Sequence, residues 1–314
     1  MNRTAYLFDD IYLEHDTGWG HPEKPERLVK IHKKISSSPY FSDLIKIKTS
    51  LPDIKCIEAI HSPDYIQRVK REIESGISYL DSMDTVVCIK SYDVALYAVG
   101  GCINMCDAIM RGEAVNGFCV IRPPGHHAEK NYAAGFCIFN NIAIAARYLQ
   151  KTYKLKNIAI IDWDVHHGNG TQHSFEDDNS ILYISLHQFP HYPGTGSKYE
   201  KGTGRGVGYT QNFPMNHSAG DEEYLFLFEN QIIPALNTFK PEFILISAGF
   251  DAHKSDPLSS IRLSTNIFYT FTRMLMSVAK NHSHGRIIGF LEGGYNVSVL
   301  PDCVDMVFKA FLEY

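Results

Sequence analysis

The chain has no surplus of basic residues: 30 Lys and Arg stand against 35 Asp and Glu, for a formal net charge of −5. Nucleic acid is therefore not expected as a direct partner, because no basic surface is on offer for phosphates. A cationic substrate tail would at least not be repelled. The seven cysteines, at positions 56, 88, 102, 106, 119, 137 and 303, include no Cys-x-x-Cys pair. Several sit in apolar runs, so free buried thiols in a reducing compartment are expected, with Cys102 and Cys106 on one helical face. The opening residues carry no signal-peptide core, and no apolar stretch approaches the ~18 residues needed to span a bilayer. These absences predict a cytoplasmic protein without a membrane partner. No repeat, low-complexity segment or linker divides the chain, which predicts a single domain over 1–314. A Gly-x-Ser-x-Gly elbow is missing too, so serine-nucleophile chemistry of that kind has no support.

Apolar runs alternating with helical stretches take up most of the remainder. Strand candidates are 118–121, 158–161, 181–186, 243–247 and 287–291; helical candidates are 25–36, 63–75, 91–111, 140–151, 221–239 and 265–281. That alternation predicts an α/β fold, a mainly parallel sheet covered by helices on both faces.

Unusual polar chemistry follows directly after these strands. Run 118–121 leads into Arg122-Pro123-Pro124-Gly125-His126-His127, and run 158–161 into Asp162-Trp163-Asp164-Val165-His166-His167-Gly168-Asn169-Gly170. Run 243–247 leads into Ala248-Gly249-Phe250-Asp251, and run 287–291 into Glu292-Gly293-Gly294-Tyr295. Ligands of open α/β sheets bind beyond the carboxyl ends of strands, so these segments should share one edge.

On an extended segment, side chains two apart point the same way, so Asp162, Asp164 and His166 can face one point. Asp164, His166 and Asp251 are the candidate ligands of a divalent metal; three protein ligands leave positions for water and a carbonyl. Taken alone, Asp251 would serve equally well as a cap for the turn that follows it. His126 and His127 are adjacent imidazoles that different environments can divide between acid and base roles. Asp162 is a candidate partner behind His126, and Asn169 a neutral partner for His127 or simply a loop residue. Tyr295, after two glycines, could donate to a developing oxyanion, although ordinary packing occupies most tyrosines. Together these parts describe metal-assisted hydrolysis of an amide.

Several long motifs in order make the chain resemble the zinc-dependent histone deacetylases, in the superfamily with acetylpolyamine amidohydrolases and acetoin-utilisation proteins. They are His21-Pro22-Glu23-Lys24-Pro25-Glu26-Arg27-Leu28, Arg122 to Ala128, Gly135-Phe136-Cys137 with Asn140-Asn141, Asp162 to Gln172, Tyr192-Pro193-Gly194-Thr195-Gly196, Ala248 to Asp251 and Glu292 to Tyr295. The resemblance implies the arginase-deacetylase fold, an eight-stranded parallel sheet flanked by helices. It assigns zinc, with iron(II) as the alternative, to Asp164, His166 and Asp251, and catalysis to His126, His127 and Tyr295. It implies an acyl-lysine tunnel lined by Gly135, Phe136 and Tyr192, and an internal cavity near Arg27. Potassium is implied at Asp162, Asp164, His166, Ser185 and Leu186, with a second monovalent site around Phe175, Asp178, Ile181 and Tyr209. Asn169 and Trp163 resemble the class II branch.

Three substrates or roles compete: acyl-lysine in proteins, small amides such as acetylated polyamines, and an acyl-lysine binder without turnover. Tyr295 speaks against the last. Leu258 stands where polyamine-selective relatives place an acid, and its apolar side chain favours acyl-lysine over a cationic amine. Asp81 or Asp84 could grip a substrate backbone at the rim, although solvated loop acids are the plainer expectation.

Overall fold

The computed structural model describes residues 3–313. Among them, eight strands form one sheet: β1 (Thr4–Leu7), β2 (Ile45–Ile47), β3 (Asn116–Cys119), β4 (Ile158–Asp162), β5 (Ile181–Gln188), β6 (Thr210–Met215), β7 (Phe243–Ala248) and β8 (Ile287–Leu291). Their spatial order is β2-β1-β3-β8-β7-β4-β5-β6, and each neighbouring pair is parallel. The expected fold class is thus present. β3, β4, β5, β7 and β8 are buried along their whole length, as continuous apolar runs require when helices cover both faces. Helices Ser91–Met110 and Asn141–Tyr153 pack together in one layer, and Ile267–His282, Leu300–Leu312 and Glu26–Ser36 in another.

Topology places the site. The chain lays down β3, then β4 three positions away, and the last strands β7 and β8 fill the gap between them. The four carboxyl ends that carry the polar motifs therefore lie side by side at a switch in strand order.

Several elements differ from the sequence expectation. β3 begins and ends two residues earlier than 118–121, leaving Val120 and Ile121 beyond the strand. β1, β2 and β6 went unrecognised because they are short or mixed: β2 is three half-exposed residues, and β6 contains Pro214. The helix expected over 221–239 is broken at Phe228–Ile232 by a π turn, just before Pro234, which has no N–H to continue the ladder. Helix Ser91–Met110 does meet the length and composition needed to cross a bilayer, contrary to expectation. Two-thirds of it is buried inside the protein, against β1, β3, β8 and Asn141–Tyr153, as a core helix is. All seven cysteines are free, and Cys102 and Cys106 are both buried.

Candidate active site

After Asp162 at the end of β4, the run to Gly168 is fastened by its own carboxylates. Asp162 Oδ1 accepts the Asp164 amide at 3.1 Å, and Asp164 Oδ1 accepts the His166 amide at 2.9 Å. Asp251, beyond β7, accepts the Val165 amide on Oδ1 at 2.9 Å, and Gly293, beyond β8, donates to Asp164 Oδ2 at 2.7 Å. Three strand ends are thereby laced together. Glycine is required at two of the crossings: a Cβ on Gly249 would lie 2.0 Å from Asp164 Oδ2, and one on Gly293 2.0 Å from Asp251 Oδ2.

Asp164, His166 and Asp251 are buried, and their ligand atoms lie within 4.8 Å of one another. His166 Nδ1 sits 3.1 Å from Asp164 Oδ1 and 3.2 Å from Asp251 Oδ2. One proton on that nitrogen cannot satisfy two carboxylates, and Asp251 Oδ2 is a buried oxygen left without a hydrogen-bond partner among the described residues. A divalent cation resolves both problems, and an O, N, O donor set suits zinc or iron(II). The residues fit the metal.

The two histidines lie beside this trio. His126 Nδ1 pairs with Asp162 Oδ2 at 3.0 Å, and the same oxygen accepts the Tyr183 hydroxyl at 3.1 Å. Burial opposes protonation of His126, but Asp162, then Asp164 and Glu292, pull it up to about 10. His127 goes the opposite way: burial, then the neighbouring His126 and His166, hold it well below the usual imidazole range. Its Nδ1 meets Asn169 Oδ1 at 2.7 Å. Two adjacent imidazoles are thus driven apart in proton affinity, one held cationic and the other neutral. Burial opposes ionisation of Asp164, yet His126 and His166 outweigh it and keep that carboxyl below its ordinary range.

Tyr295 is buried, with Arg27 Cζ 5.0 Å above its ring and Phe136 edge-on at 5.8 Å. Phe136 and Gly135 both adopt positive φ, 69° and 55°, in the bend that turns the phenyl ring toward Tyr295. Tyr192 stands edge-on to His127 at 5.2 Å, and His191 stacks on His166 at 5.0 Å while donating to the Leu258 carbonyl. The expected tunnel residues therefore gather over the histidines and the tyrosine. Arg27 lies beneath, donating to the carbonyls of Gly294 at 2.7 Å and Glu292 at 2.5 Å.

Asp162 is in register with Ser185 of β5, the strand that also carries Leu186, and Asp164 and His166 follow within four residues of it. Phe175, Asp178, Ile181 and Tyr209 cluster around the start of β5, but the Asp178 carboxylate is already taken by Arg147 and Ser180. The two loop acids differ: Asp84 reaches Tyr192 at the mouth, whereas Asp81 is tied down within the fold. Asp81 pairs with Arg68 at 2.8 Å and accepts the Ala133 amide at 2.7 Å, while Asp84 bonds Ser82 and Thr85.

Sequence reasoning gave no role to three residues that the geometry makes prominent. Glu292 accepts the backbone amides of Gly125 (2.7 Å) and His126 (3.2 Å), which sets the histidine loop against β8. Asp256 accepts the Tyr295 amide at 2.7 Å. Glu129 accepts from Asn169 Nδ2 at 2.5 Å. The acid directly before Gly293-Gly294 was a visible signal for Glu292; the other two pair residues too distant in sequence.

A family model described as the histone deacetylase domain matches residues 21–311. A probable deacetylase of Archaeoglobus fulgidus is 40% identical over 299 residues, covering 94% of this chain and 82% of the relative. A histone deacetylase-like amidohydrolase of Pseudomonas aeruginosa is 33% identical, covering 96% of this chain and 84% of the relative. Among solved structures, the crystal structure of the HDA15 HD domain matches with a TM-score of 0.94 at 36% identity, over 99% of this chain and 89% of that one.

Proposed function

The chain belongs to the histone deacetylase family, and from that premise we propose that it hydrolyses Nε-acyl-lysine, with acetyl as the acyl group, in protein substrates. Zinc is the proposed metal, held by Asp164, His166 and Asp251. The observation that carries the reading is the convergence of these three ligand atoms, one of them an orphaned carboxylate oxygen, beside two histidines of opposite proton affinity. When bound, the ion supplies a Lewis acid that polarises an amide carbonyl and lowers the pKa of water.

The chain's own groups do the rest. His127 is neutral, and with Nδ1 engaged by Asn169 its Nε2 is the atom that takes a proton from attacking water and returns it to the departing amine. His126, kept cationic by Asp162, stabilises negative charge developing on the former carbonyl oxygen. The Tyr295 phenol donates a hydrogen bond to that oxygen, its ring steadied by Arg27 and Phe136. Gly135, Phe136 and Tyr192 are the proposed walls of the acyl-lysine channel, Phe136 edge-on to Tyr295 and Tyr192 edge-on to His127.

Two features favour a polypeptide over a polyamine. Leu258 offers no charge, and the acid nearest to it in sequence, Asp256, is committed to the backbone amides of Leu258, Tyr295 and Asn296. Trp19 is fully exposed and lies two residues in sequence from His21, which packs on Phe136 at 4.8 Å, so the segment offers an indole to a peptide partner. Potassium beside Asp162, Asp164, His166, Ser185 and Leu186, and a second monovalent ion near Phe175, Asp178, Ile181 and Tyr209, remain part of the proposal. At the second site only carbonyls could serve. The test is a comparison of kcat/KM for an acetyl-lysine peptide, a longer acyl-lysine peptide and acetylspermidine with zinc-loaded protein. The acetyl-lysine peptide should lead; a strong preference for acetylspermidine would transfer the assignment to small-molecule amides.

A further inference from the structure

Glu129 follows the His126-His127 pair by two residues, and its backbone is pinned. Its carbonyl accepts His61 Nδ1 at 2.9 Å, and its amide donates to the Tyr132 carbonyl at 2.9 Å. Its carboxylate Oε1 accepts two donors from a single helix, Asn169–Phe175: the Asn169 side-chain amide at 2.5 Å and His173 Nδ1 at 2.8 Å. Asn169 and His173 are four residues apart and share a helical face. The other end of the Asn169 side chain, Oδ1, meets His127 Nδ1 at 2.7 Å.

Donor and acceptor rules run along this chain in one direction. A carboxylate can only accept, so Asn169 must turn its NH2 group toward Glu129. The other group near that nitrogen, the His127 carbonyl at 3.5 Å, also only accepts. Oδ1 is therefore left facing His127, and being an acceptor it requires a proton on Nδ1. In a neutral imidazole Nε2 then carries the lone pair toward the reacting centre. Without an acceptor at position 129, only the long contact to the His127 carbonyl opposes the amide turning over. Its NH2 would then face Nδ1, select the opposite tautomer and put an N–H where a base is needed.

We infer that Glu129 is a positioning residue: through the Asn169 amide it fixes His127 in the tautomer able to take a proton at Nε2, while His173 holds the carboxylate from the surface side. A carboxylate at position 169 would need no such device, since it has no donor to misplace. An amide does. A charge-assisted hydrogen bond biases the amide by about 10- to 100-fold, enough to leave one orientation dominant. The catalytic part of this inference rests on the deacylase reading above; the tautomer part does not.

The experiment has two arms. In metal-free protein labelled with 15N-histidine, long-range proton–nitrogen correlations at pH 8 report the ring tautomer, His127 being assigned by its loss in His127→Ala. Wild type should show the Nδ1–H form, Glu129→Gln a mixture, and Glu129→Lys, which offers only donors, the Nε2–H form. In zinc-loaded protein, Glu129→Lys should lower kcat for an acetyl-lysine peptide about 10- to 100-fold with KM little changed. Adding Asn169→Asp to Glu129→Lys should restore most of kcat, because aspartate accepts from both the lysine and His127. An unchanged His127 tautomer in both Glu129 variants, or a double variant as impaired as Glu129→Lys, would overturn the inference. If wild type hydrolyses neither acyl-lysine nor acetylspermidine, the deacylase reading fails, and the tautomer spectra still decide the role of Glu129.

Discussion

Two buried polar clusters meet at the segment Glu292–Tyr295, and they are built on opposite principles. Below it, Glu23 receives Arg27 at 3.0 Å and Arg122 at 2.5 and 2.7 Å, and the remaining guanidinium donors find the carbonyls of Tyr12, His15, Glu292 and Gly294. Above it, Asp164 and Asp251 crowd one imidazole nitrogen, with Asp162 and Glu292 close behind and one carboxylate oxygen unpaired. The lower cluster satisfies its charges from within the chain. The upper one has too many negative groups for its donors and is complete only with a cation from outside. Burial alone does not mark a functional site; burial with an unmet charge does.

Asp251→Asn is the sharpest way to break that contrast and should have the largest effect. It should abolish stoichiometric zinc by elemental analysis, and with it turnover. The metal-free variant should melt no lower than metal-free wild type, because one carboxylate of a mutually repelling set is gone. Retained zinc would show that the ligand set is wrong. Tyr295→Phe and His127→Ala come next: each should cut kcat by about 10²- to 10⁴-fold while zinc content and melting temperature hold. Near-normal hydrolysis by either would remove that residue from the mechanism.

The lower cluster should respond in stability and not in metal content. Glu23→Gln leaves two buried guanidinium groups without their carboxylate, at a cost of about 3–5 kcal/mol. Chemical denaturation should show that loss with and without zinc alike. A loss confined to the zinc-loaded protein would mean that the two clusters are not separate in kind.

How much of this was legible depended on whether sequence neighbours were also spatial partners. Asp162, Asp164 and His166 were found because they follow one apolar run, although the strand stops at Asp162, a bend carries Asp164 and His166, and Asp162 turns to His126 and not to the ligand set. His126, Asp251 and Tyr295 were found because each follows an apolar run, and parallel topology brings the ends of such runs to one edge. β2 and β6 stayed hidden because edge strands bury too little to impose a pattern. Helix Asn169–Phe175 was hidden by its two turns of polar and small residues. The Glu129–Asn169 contact spans 40 residues, and nothing local to either announces it. Asp81 looked like a rim acid from its loop, but its pairing with Arg68, 13 residues upstream, spends the charge within the fold.

The smallest expected effect comes from a third kind of buried polar group, neither saturated with charge nor awaiting a cation. His61 lies between the Glu129 carbonyl, to which its Nδ1 donates, and the Asn140 amide, from which its Nε2 accepts at 2.9 Å. That geometry requires the neutral ring, and burial lowers its pKa from 6.5 to about 4. His15 is buried too, its pKa lowered to about 3 by burial and then by Arg122. Below pH 6.5 the unfolded chain binds protons at both positions and the folded chain does not, so stability is fully present above 6.5 and is lost as pH falls toward each folded value. Each group contributes a slope of up to about 1.4 kcal/mol per pH unit, roughly 2 kcal/mol by pH 5. Glu23 adds nothing in that window. Burial opposes its charge, but Arg122 and Arg27 hold it at about 2, so its contribution begins to fade only below 4.5. Denaturation of metal-free protein at steps between pH 7.5 and 5 should show the decline, and His61→Gln should flatten it by one histidine's share. A curve of unchanged slope in that variant would mean that His61 takes up its proton without leaving the fold.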